Sequence, residues 1–563
     1  MQLLDEGPRW VESDDDALEI ERVHEHCSIY THPDVAGAML DAVGWVGDAD
    51  LKGKRLLEPC CGDGSFLRLA VDRLLVWARR EANLDEGTLG DAITAFEFDR
   101  VTAEAARTAV RGRLEQAGIA SDTARRLALR WVRTEDFLLA TGLGTFSHVV
   151  GNPPYMRWSK LPPRLKTQYE AAIDPVAAKG DICLAFIWRC AGLIDDLGVI
   201  ALLCADRWLR CAYGEQARAE LAKSLRIAAF FEAHDLPVFV GKREVSAYAG
   251  VTILDRERES GATVVRPDSL GALSAALRNW RTAAKSKQPQ KAPSLRGDGS
   301  AILADDDTHR LLSALAEGYP ILADAGVGVR CGVALGHAKT FLVGADAEIE
   351  PQRLLPYIRS DDLNEDGSTS ASRMLVNPWD CDGRLVDLAR WPRLEKHLTA
   401  SREVLAARAC VSGRQDWYRT IDRLPADRPA GRIFVAGMAR RSRVALSRPD
   451  EVPGNAIYVL STQSWPPAAL YAMLRSGLLD LHAAGLASTF AGGTKRFDGT
   501  FLRQVRLPLW SMVSRKLQQR LVELDTSVPV PRPQLLADVF RLKSARARRA
   551  LDRTLNIETE NGS

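Results

Sequence analysis

Short apolar runs alternate with amphipathic stretches between about residues 25 and 257. The runs have the length of buried strands, whereas stretches such as Ala103–Gln116 and Glu215–Leu225 have the apolar spacing of helices. The predicted strands are Arg55–Leu57, Ala92–Phe96, Ala128–Val132, His148–Val150, Val199–Leu203, Ala228–Phe231 and Gly250–Leu254. This alternation predicts an α/β, Rossmann-like domain with a mostly parallel, seven-stranded sheet and helices on both faces.

The pattern is different on either side of this domain at 25–257. Residues 1–24 are acidic and weakly periodic, and we predict that they form an N-terminal arm. Residues 258–300 are predicted to connect two domains, because the part from Arg281 to Ser300 is rich in Lys, Pro, Gln and Ser. Residues 301–563 have a less regular pattern that predicts an α+β domain, with a basic last helix from Pro533 to Leu555.

The composition excludes several classes of protein. The 563 residues include 75 basic and 73 acidic side chains, and the formal charge of +2 argues against a nonspecific polycation. The ten cysteines form no C-x-x-C pair, so we predict neither a metal site nor a dithiol redox site. The acidic start lacks the apolar core of a signal peptide, and the best apolar run, Gly198–Cys204, is too short to cross a bilayer. We therefore expect a cytoplasmic protein without a membrane partner.

The first chemical signal follows the first predicted strand. Glu58 ends this strand and precedes the turn Pro59-Cys60-Cys61-Gly62-Asp63-Gly64, which leads into a helix. In doubly wound sheets such turns lie at the carboxyl edge, where ligands bind, and the two glycines allow a close approach of the backbone to a ligand. The spacing is not G-x-G-x-x-G, so a nucleoside site is favoured over a phosphate cradle. A purely structural turn has the same form and stays open at this point.

The next two predicted strands also end in acids. Glu97 ends the second strand, at the position where related sheets bind the hydroxyl groups of a ribose. Asp136-Phe137 follows the third strand, where a carboxylate can accept from an adenine amino group and a ring can stack on the base. A solvated acid is the simpler alternative for each position alone. Three consecutive strand ends with an acid predict a cofactor that contains a nucleoside.

The fourth predicted strand leads into the loop Asn152-Pro153-Pro154-Tyr155. The two prolines fix φ and remove two backbone donors, so rigid carbonyl groups remain. Asn152 supplies a side-chain carbonyl and Tyr155 a flat ring, which together suit a planar amino group. Acceptance of both amino hydrogens directs the nitrogen lone pair at an electrophilic methyl group, without a strong base or a metal. The loop therefore predicts methyl transfer to a planar amino group.

With these motifs the chain resembles the gamma-class N6-adenine DNA methyltransferases of restriction–modification systems. The resemblance is strong over residues 28–257 and continues loosely, through Gly492-Gly493-Thr494-Lys495-Arg496-Phe497, to Leu507-Pro508. It implies that S-adenosylmethionine donates a methyl group to N6 of adenine in double-stranded DNA, and that residues 301–563 form a target-recognition domain. Cys60-Cys61 stands where small residues such as Ala are more usual, and Arg100 stands where Pro is common.

The resemblance also implies a role for individual residues. Thr31 belongs to a segment that lines the methionine end of the cofactor, together with Glu58, Pro59, Cys60, Gly62 and Gly64. Glu97 is implied to bind the ribose, Asp136 and Phe137 to bind the adenine, and Phe186 to be an aromatic neighbour of the cofactor. The loop Asn152-Pro153-Pro154-Tyr155 is implied to be catalytic, with Tyr155 and Phe239 stacked on the two faces of the target base.

An amino group inside duplex DNA is paired, so an enzyme of this kind must rotate the nucleotide out of the helix. The required DNA contacts are predicted in the C-terminal domain, and the candidate phosphate contacts are Arg440, Arg441, Arg443, Lys495 and Arg496. A solvated or salt-bridged side chain is the simpler alternative for each one alone. We expect a monomer on double-stranded DNA, and whether a cognate restriction endonuclease accompanies it stays open.

The same type of loop leaves other substrates open, because enzymes with N-P-P-[YF] also methylate RNA, a glutamine of a release factor or N4 of cytosine. The large C-terminal domain and the Asn at the first loop position favour adenine in DNA. A fused nuclease is rejected because such chains carry a nuclease domain before the methylase, whereas the methylase motifs here already begin at Tyr30, and because Pro449-Asp450-Glu451 is followed by no suitable Lys. A zinc deaminase is rejected because Pro59–Asp63 lacks the P-C-x-x-C spacing. A catalytically silent DNA-binding module is disfavoured because every predicted catalytic part is present.

Overall fold

The computed structural model divides into two compact units between Asp306 and Asp307. The described residues are 29–234, 236–240, 249–257, 263–286, 304, 306–411, 416–424, 427–490, 493–526 and 532–556. The predicted arm at 1–24, residues 287–300 of the predicted connecting segment, and Gly492 lie outside them. No helix within the described ranges is long and apolar enough to cross a membrane.

The first unit has the predicted alternation of strands and helices. Its strands are β1 (Tyr30–Thr31), β2 (Leu56–Glu58), β3 (Ile93–Glu97), β4 (Val132–Thr134), β5 (Phe146–Gly151), β6 (Ile194–Ala205), β7 (Arg226–Glu232), β8 (Phe239–Val240), β9 (Ala249–Asp255) and β10 (Thr263–Val265). Its helices are α1 (Pro33–Val43), α2 (Ser65–Arg80), α3 (Glu86–Leu89), α4 (Arg100–Gln116), α5 (Ser121–Trp131), α6 (Pro163–Ala172), α7 (Ile182–Leu193), α8 (Arg207–Arg210), α9 (Glu215–Leu221) and α10 (Leu270–Ser286).

Eight of these strands form one sheet in the order β10-β7-β9-β6-β5-β2-β3-β4, which is parallel except for β9. Successive residues of β6 alternate between two buried clusters, with Ala201 and Leu203 in one and Ile200 and Leu202 in the other. Both faces of the sheet are therefore covered, as in doubly wound folds. The chain order reverses between β2 and β5, and ligands bind such sheets at the carboxyl ends of strands beside this point.

The predicted strand Ala128–Val132 is wrong over most of its length. Its first four residues end α5, and β4 begins only at Val132. Leu127, Ala128 and Trp131 are buried at helical spacing, and the Trp131 indole donates to the carbonyl of Leu89 at 3.1 Å. The segment Ala128–Trp131 is helical because this face of α5 packs into the core, although its apolar residues would also suit a strand.

The prediction that residues 258–300 only connect two domains is wrong over residues 263–286. β10 pairs in parallel with β7, so the sheet has eight strands instead of the predicted seven. α10 buries Leu273, Leu277 and Trp280, and the Trp280 indole donates to the carbonyl of Ala42 at 2.9 Å. Three buried residues at helical spacing are enough to dock this helix, even though its neighbours in sequence are polar.

The second unit has the predicted α+β character. Its strands are β11 (Val327–Cys331), β12 (Leu342–Val343), β13 (Leu354–Ile358), β14 (Arg373–Val376), β15 (Ile433–Ala436), β16 (Met438–Ala439), β17 (Val444–Leu446), β18 (Val452–Pro453), β19 (Ile457–Thr462), β20 (Thr489–Phe490) and β21 (Thr494–Arg496). Its helices are α11 (Asp306–Gly318), α12 (Ala338–Phe341), α13 (Pro392–Thr399), α14 (Arg402–Ala406), α15 (Pro467–Arg475), α16 (Leu478–Leu486), α17 (Gly499–Leu502), α18 (Arg515–Val522), α19 (Pro533–Val539) and α20 (Ala545–Asn556).

These strands form three sheets, in the orders β11-β19-β15-β17, β12-β14-β13-β18 and β16-β21-β20. The prediction of one last helix from Pro533 to Leu555 is wrong, because α19 ends at Val539 and α20 begins at Ala545. Arg541 between the two helices has a φ of 50°, in the left-handed region that interrupts an α-helix.

Candidate active site

A cavity of about 950 Å³, including the space at its mouth, lies at the carboxyl ends of β2, β3 and β5. Most of the residues predicted for the site line it, namely Thr31, Glu58, Pro59, Cys60, Gly62, Glu97, Asp136, Phe137, Asn152, Pro154 and Phe186. Four other predicted residues, Gly64, Pro153, Tyr155 and Phe239, are not in its lining. The sheet order explains the assembly, because it places strand ends that are distant in sequence side by side.

Glu58 and Thr31 give the cavity unsatisfied acceptors. Glu58 is 1% exposed, and its two carboxylate oxygens and Thr31 Oγ1 are buried without a hydrogen-bond partner among the described residues. Burial, followed by the nearby carboxylates of Asp63 and Glu97, raises the pKa of Glu58 well above its ordinary value of 4.5. A buried carboxylate without donors is costly, so this position fits a ligand that brings a charged donor such as an ammonium group.

Glu97 fixes the turn between β2 and α2. Its Oε2 accepts from the Gly62 amide at 3.0 Å, and its Oε1 accepts from the Asp99 amide at 2.9 Å. Gly62 and Gly64 have φ angles of 54° and 88°, in the region that favours glycine, and Gly64 directly precedes α2. Each carboxylate oxygen has a second lone pair, so Glu97 can also accept from hydroxyl groups in the cavity.

Asp136 lies at the end of β4, two strands away from Glu58 in the sheet. Its Oδ1 accepts from the Leu138 amide at 2.8 Å, and its Oδ2 accepts from the Tyr169 hydroxyl at 2.7 Å. Burial raises the pKa of Asp136. Both carboxylate oxygens are thus held in place by the protein, in contrast to those of Glu58.

Phe137 contributes to an aromatic wall of the cavity. Its ring centroid lies 5.3 Å from that of Phe96 and 5.5 Å from that of Phe186, with a tilt of only 30° to the second ring. The Arg189 guanidinium lies over the Phe137 ring at 5.2 Å. This packing fixes the ring planes, and a wall of rings beside a carboxylate suits a flat heteroaromatic ligand such as adenine.

The orientation of the Asn152 side chain is fixed by a neighbour from outside the loop. Its Nδ2 donates to the main-chain carbonyl of Ile29 at 2.8 Å, so the carbonyl end of the amide is the end that remains available. Oδ1 is buried and has no partner among the described residues. The Cys60 thiol donates to the main-chain carbonyl of Asn152 at 3.2 Å and joins the loop to the turn after β2. The site therefore presents an unsatisfied acceptor to the cavity.

Tyr155 and Phe239 lie together, but without the space for a base between them. The ring centroids are 5.7 Å apart at an angle of 84°, and the Tyr155 hydroxyl donates to the Leu203 carbonyl at 3.1 Å. A base between two rings needs two van der Waals separations, about 7 Å in total, and parallel planes. The space for a base is therefore closed in this conformation, and the predicted stacking on both faces of a base requires the two rings to separate first.

Several lining residues are absent from the sequence prediction. Tyr169 on α6 contacts Asp136, which is 33 positions away, and no motif connects the two. Tyr30 lies so close to Gly62 that a Cβ there would be 3.2 Å from its ring. The remaining lining residues outside the prediction are Ile29, Cys61, Ser65, Phe66, Phe96, Phe98, Glu135, Met156, Leu161, Leu165 and Ile182. Most are apolar residues that sequence patterning assigns to the core.

The five predicted DNA contacts lie in the second unit, where β16 pairs with β21. Lys495 is opposite Ala439, and Arg496 is opposite Met438. Arg440, Arg441 and Arg443 directly follow β16. The structure thus brings together two basic segments that are more than fifty positions apart in the chain.

Known restriction–modification proteins resemble this chain in sequence and in fold. Residues 97–239 match the family described as Eco57I restriction-modification methylase. The type II methyltransferase M.PaeR7I of Pseudomonas aeruginosa is 32% identical over 507 residues, which cover 88% of each chain. The type II methyltransferase M.XhoI of Xanthomonas vasicola is 29% identical over 514 residues, 89% of this chain and 94% of the relative. The type IIL restriction-modification enzyme MmeI, solved in complex with DNA, has a TM-score of 0.56 at 12% identity, over 96% of this chain and 75% of that chain.

The sheet order and the acidic strand ends define an S-adenosylmethionine-dependent methyltransferase, and the likeness to MmeI supports the fold alone. The chain belongs to the methyltransferases of type II restriction–modification systems. It is therefore a sequence-specific DNA methyltransferase with S-adenosylmethionine as its cofactor. The unsatisfied oxygens of Glu58 and Thr31 and the aromatic wall fit such a cofactor.

Proposed function

We propose that the chain methylates N6 of an adenine that has rotated out of duplex DNA. The observation that carries this proposal is the orientation of Asn152, whose Nδ2 is bound to the Ile29 carbonyl while its buried Oδ1 has no described partner. An amide in this orientation accepts a hydrogen bond and donates none to the cavity. It therefore selects an amino group over a ring nitrogen or a carbonyl oxygen of a base.

The loop residues activate the amino group by accepting its hydrogens. Asn152 Oδ1 accepts one hydrogen, and the carbonyl of Pro153 accepts the other in the arrangement that the sequence motif implies. The nitrogen lone pair then leaves the conjugated plane and would form a bond to the methyl carbon of the sulfonium as the carbon–sulfur bond breaks, which leaves a neutral thioether. The amino nitrogen would lose one of its two hydrogens as a proton to water. Asn152 Oδ1 is oriented before the reaction by the bond from Nδ2 to the Ile29 carbonyl, so little reorganisation of this acceptor is needed in the transition state.

S-adenosylmethionine supplies the methyl group on a sulfonium that is already activated for transfer. We assign its amino group to Glu58, with Thr31 beside it, and its ribose hydroxyls to Glu97. Asp136 and Phe137 bind the adenine, with Phe186 as the next ring. The unsatisfied carboxylate of Glu58 supports the first assignment, and the fixed rings beside Asp136 support the last one.

The target base enters where Tyr155 and Phe239 lie now. Rotation of a nucleotide out of the duplex costs a few kcal/mol, and an aromatic platform recovers part of this cost. The two rings are in edge-to-face contact at 5.7 Å, and this contact covers apolar surface as long as no base is present. We infer that Phe239 moves, because Tyr155 is anchored through its hydroxyl to the Leu203 carbonyl.

We assign recognition of the DNA sequence to the second unit, through the basic residues that follow β16 and lie on β21. The methylated site would be protected from a cognate restriction endonuclease, as the family implies. We further propose that the enzyme acts as a monomer in the cytoplasm. Mass photometry of the protein with and without DNA tests the oligomeric state.

Long-read modification mapping of DNA from cells that express the protein tests the proposed function. We expect N6-methyladenine at one short motif, and we expect the Asn152→Ala variant to lower kcat at least about 100-fold while its affinity for S-adenosylmethionine is retained. Asn279→Ala is the matched control, because Asn279 is exposed on α10 and bonds only within its own helix. A methyl group on N4 of cytosine, or methylation of RNA or protein only, would overturn the proposal.

A further inference from the structure

The three-stranded sheet of the second unit assembles a surface that we call the basic ribbon. It consists of six residues on β16, on the loop after it and on β21, namely Met438, Arg440, Arg441, Arg443, Lys495 and Arg496. Met438 lies opposite Arg496 in the antiparallel register, so both side chains are on the same face of the sheet. The basic ribbon uses two adjacent antiparallel strands of this three-stranded sheet, β16 and β21, and a pair of antiparallel strands is one of the elements that fit the major groove of B-DNA.

The loop of the ribbon is held in one conformation by a carboxylate beneath it. Asp480 on α16 accepts from the Ser442 amide at 2.9 Å and from the Ser442 hydroxyl at 2.6 Å. Ser442 is the one uncharged residue between Arg440 and Arg443. A charged run that only faces solvent needs no such anchor. The anchor reduces the entropy that the loop would lose when it binds a partner, so the loop is prepared for binding.

Arg496 is oriented in a similar way. Its Nε lies 3.0 Å from Asp498 Oδ2, and Asp498 Oδ1 accepts from the amides of Thr500 and Phe501 at the start of α17. The guanidinium is thus positioned through Nε, and its two terminal nitrogens have no partner within the described part of the chain. Arg440 is exposed and also has no partner there. Arg496 is thus oriented by a salt bridge that leaves its two terminal nitrogens available, and an oriented arginine of this kind is suited to bind a phosphate or a base edge.

Met438 indicates how the ribbon meets its partner. It is 45% exposed although it lies among arginines, and a thioether cannot form a useful contact with phosphate. We propose that the basic ribbon lies in the major groove of the target duplex, with its loop arginines and Lys495 on phosphates, and with Met438 and the adjacent Arg496 at the base edges. This inference rests on the proposed function, and it assigns target reading to two residues on one face of the ribbon.

Salt dependence tests the phosphate contacts. The affinity of Arg440→Ala for a plasmid-derived duplex is measured over a series of salt concentrations, beside Arg390→Ala, which removes a side chain that is 82% exposed in the same unit. We expect the slope of log K against log salt to become shallower by about one for Arg440→Ala and to be unchanged for the control. An unchanged slope for Arg440→Ala would remove Arg440 from the interface and overturn this part of the proposal.

A specificity ratio tests Met438. Methylation rates are compared between a duplex with the motif found by modification mapping and duplexes with one base pair changed. We expect Met438→Ala to reduce this ratio about tenfold at one position and to keep the salt slope of the wild type. Met512→Ala is the matched control, because Met512 is 39% exposed in the same unit and lies outside the ribbon. A wild-type ratio for Met438→Ala would overturn its role in target reading.

Two further measurements separate a failed inference from a failed fold or a failed proposed function. Ser442→Ala keeps every charge but removes one hydrogen bond of the Asp480 anchor, and we expect weaker DNA binding with the wild-type salt slope. Thermal unfolding of each variant identifies a loss of folding. If the wild type methylates adenine and every ribbon variant binds and discriminates DNA normally, the proposed role of the basic ribbon is refuted, and the proposed function is not. Wild-type protein that does not methylate DNA refutes the proposed function.

Discussion

A buried carboxylate lies at each end of the cavity, but only one of the two has hydrogen-bond partners within the described part of the chain. Asp136 at one end has a partner for each carboxylate oxygen, from the Leu138 amide and the Tyr169 hydroxyl. Glu58 at the other end has none among the described residues, and neither has the nearby Asn152 Oδ1. The protein therefore satisfies with its own contacts the end that we assign to adenine, but leaves the end that we assign to methionine and methyl transfer to be completed by ligands. We infer that the second end contributes binding energy at a cost in stability of the free protein.

The largest expected effect is that of Glu58→Gln, which tests the unsatisfied end directly. The variant loses a charged acceptor, and its affinity for S-adenosylmethionine falls about 10- to 100-fold by isothermal titration calorimetry. At a pH above the folded-state pKa of Glu58, the Tm of the ligand-free variant rises by about 2–4 °C, because a buried charge without a described partner is removed. Glu81→Gln, a half-exposed glutamate beside Arg80, is the control and changes neither value. A variant that is both weaker in binding and less stable would contradict the comparison.

Stability and affinity for S-adenosylmethionine, measured as a function of pH for the wild type and for Glu58→Gln, distinguish the effect of the Glu58 charge from that of its shape. Because the pKa of Glu58 is raised in the folded state, the folded protein binds a proton where the unfolded chain has lost it. The contribution of Glu58 to stability is therefore favourable below its ordinary value of 4.5 and is lost as the pH rises through the folded-state pKa. The stability gain of Glu58→Gln grows over the same window. The affinity of the wild type for S-adenosylmethionine falls by about tenfold per pH unit below that pKa, whereas the variant shows no such decline.

A substitution at the Asp136 end, where both carboxylate oxygens have partners, is expected to lower the stability of the protein instead of raising it. Tyr169→Phe removes the donor to Asp136 Oδ2 and leaves a buried carboxylate oxygen unsatisfied, which lowers the free energy of unfolding by about 1–3 kcal/mol. Affinity for S-adenosylmethionine decreases only a few-fold. Tyr213→Phe is a close control, because the Tyr213 hydroxyl donates to Asp181 Oδ2 at the same distance of 2.7 Å, and neither residue is in the lining of the cavity. It should lose stability but keep the affinity, and equal affinities of the two variants would refute a role of Tyr169 in the site.

The Asp136 end of the cavity is also the one that could be predicted only in part from the sequence. Glu58, Glu97 and Asp136 are predictable because each follows a short apolar strand, and the carboxyl ends of parallel strands meet at one edge. Tyr169 is not, because its contact with Asp136 depends on the packing of a helix 33 positions later. The fold, too, is predictable where it depends on local pattern and not where it depends on contacts between distant residues. Strand alternation predicts the sheet, whereas Ala128–Val132 and residues 263–286 are decided by side chains such as Trp131 and Trp280 that bond to distant carbonyls.

The smallest expected effect concerns Cys60, which joins the turn after β2 to the loop at Asn152, the loop that we propose to be catalytic. Its thiol donates to the Asn152 carbonyl at 3.2 Å, so its removal should loosen the loop that holds the unsatisfied acceptor. Cys60→Ala is expected to lower kcat about 3- to 10-fold, which corresponds to a hydrogen bond of about 1 kcal/mol, with a smaller change in KM. Cys60→Ser keeps a donor and should recover most of the rate. Cys381→Ala is the control, because Cys381 is an exposed cysteine of the second unit that does not line the cavity. If Cys60→Ser is as slow as Cys60→Ala, the size of the side chain matters and not its donor, and the turn does not position the loop through this bond.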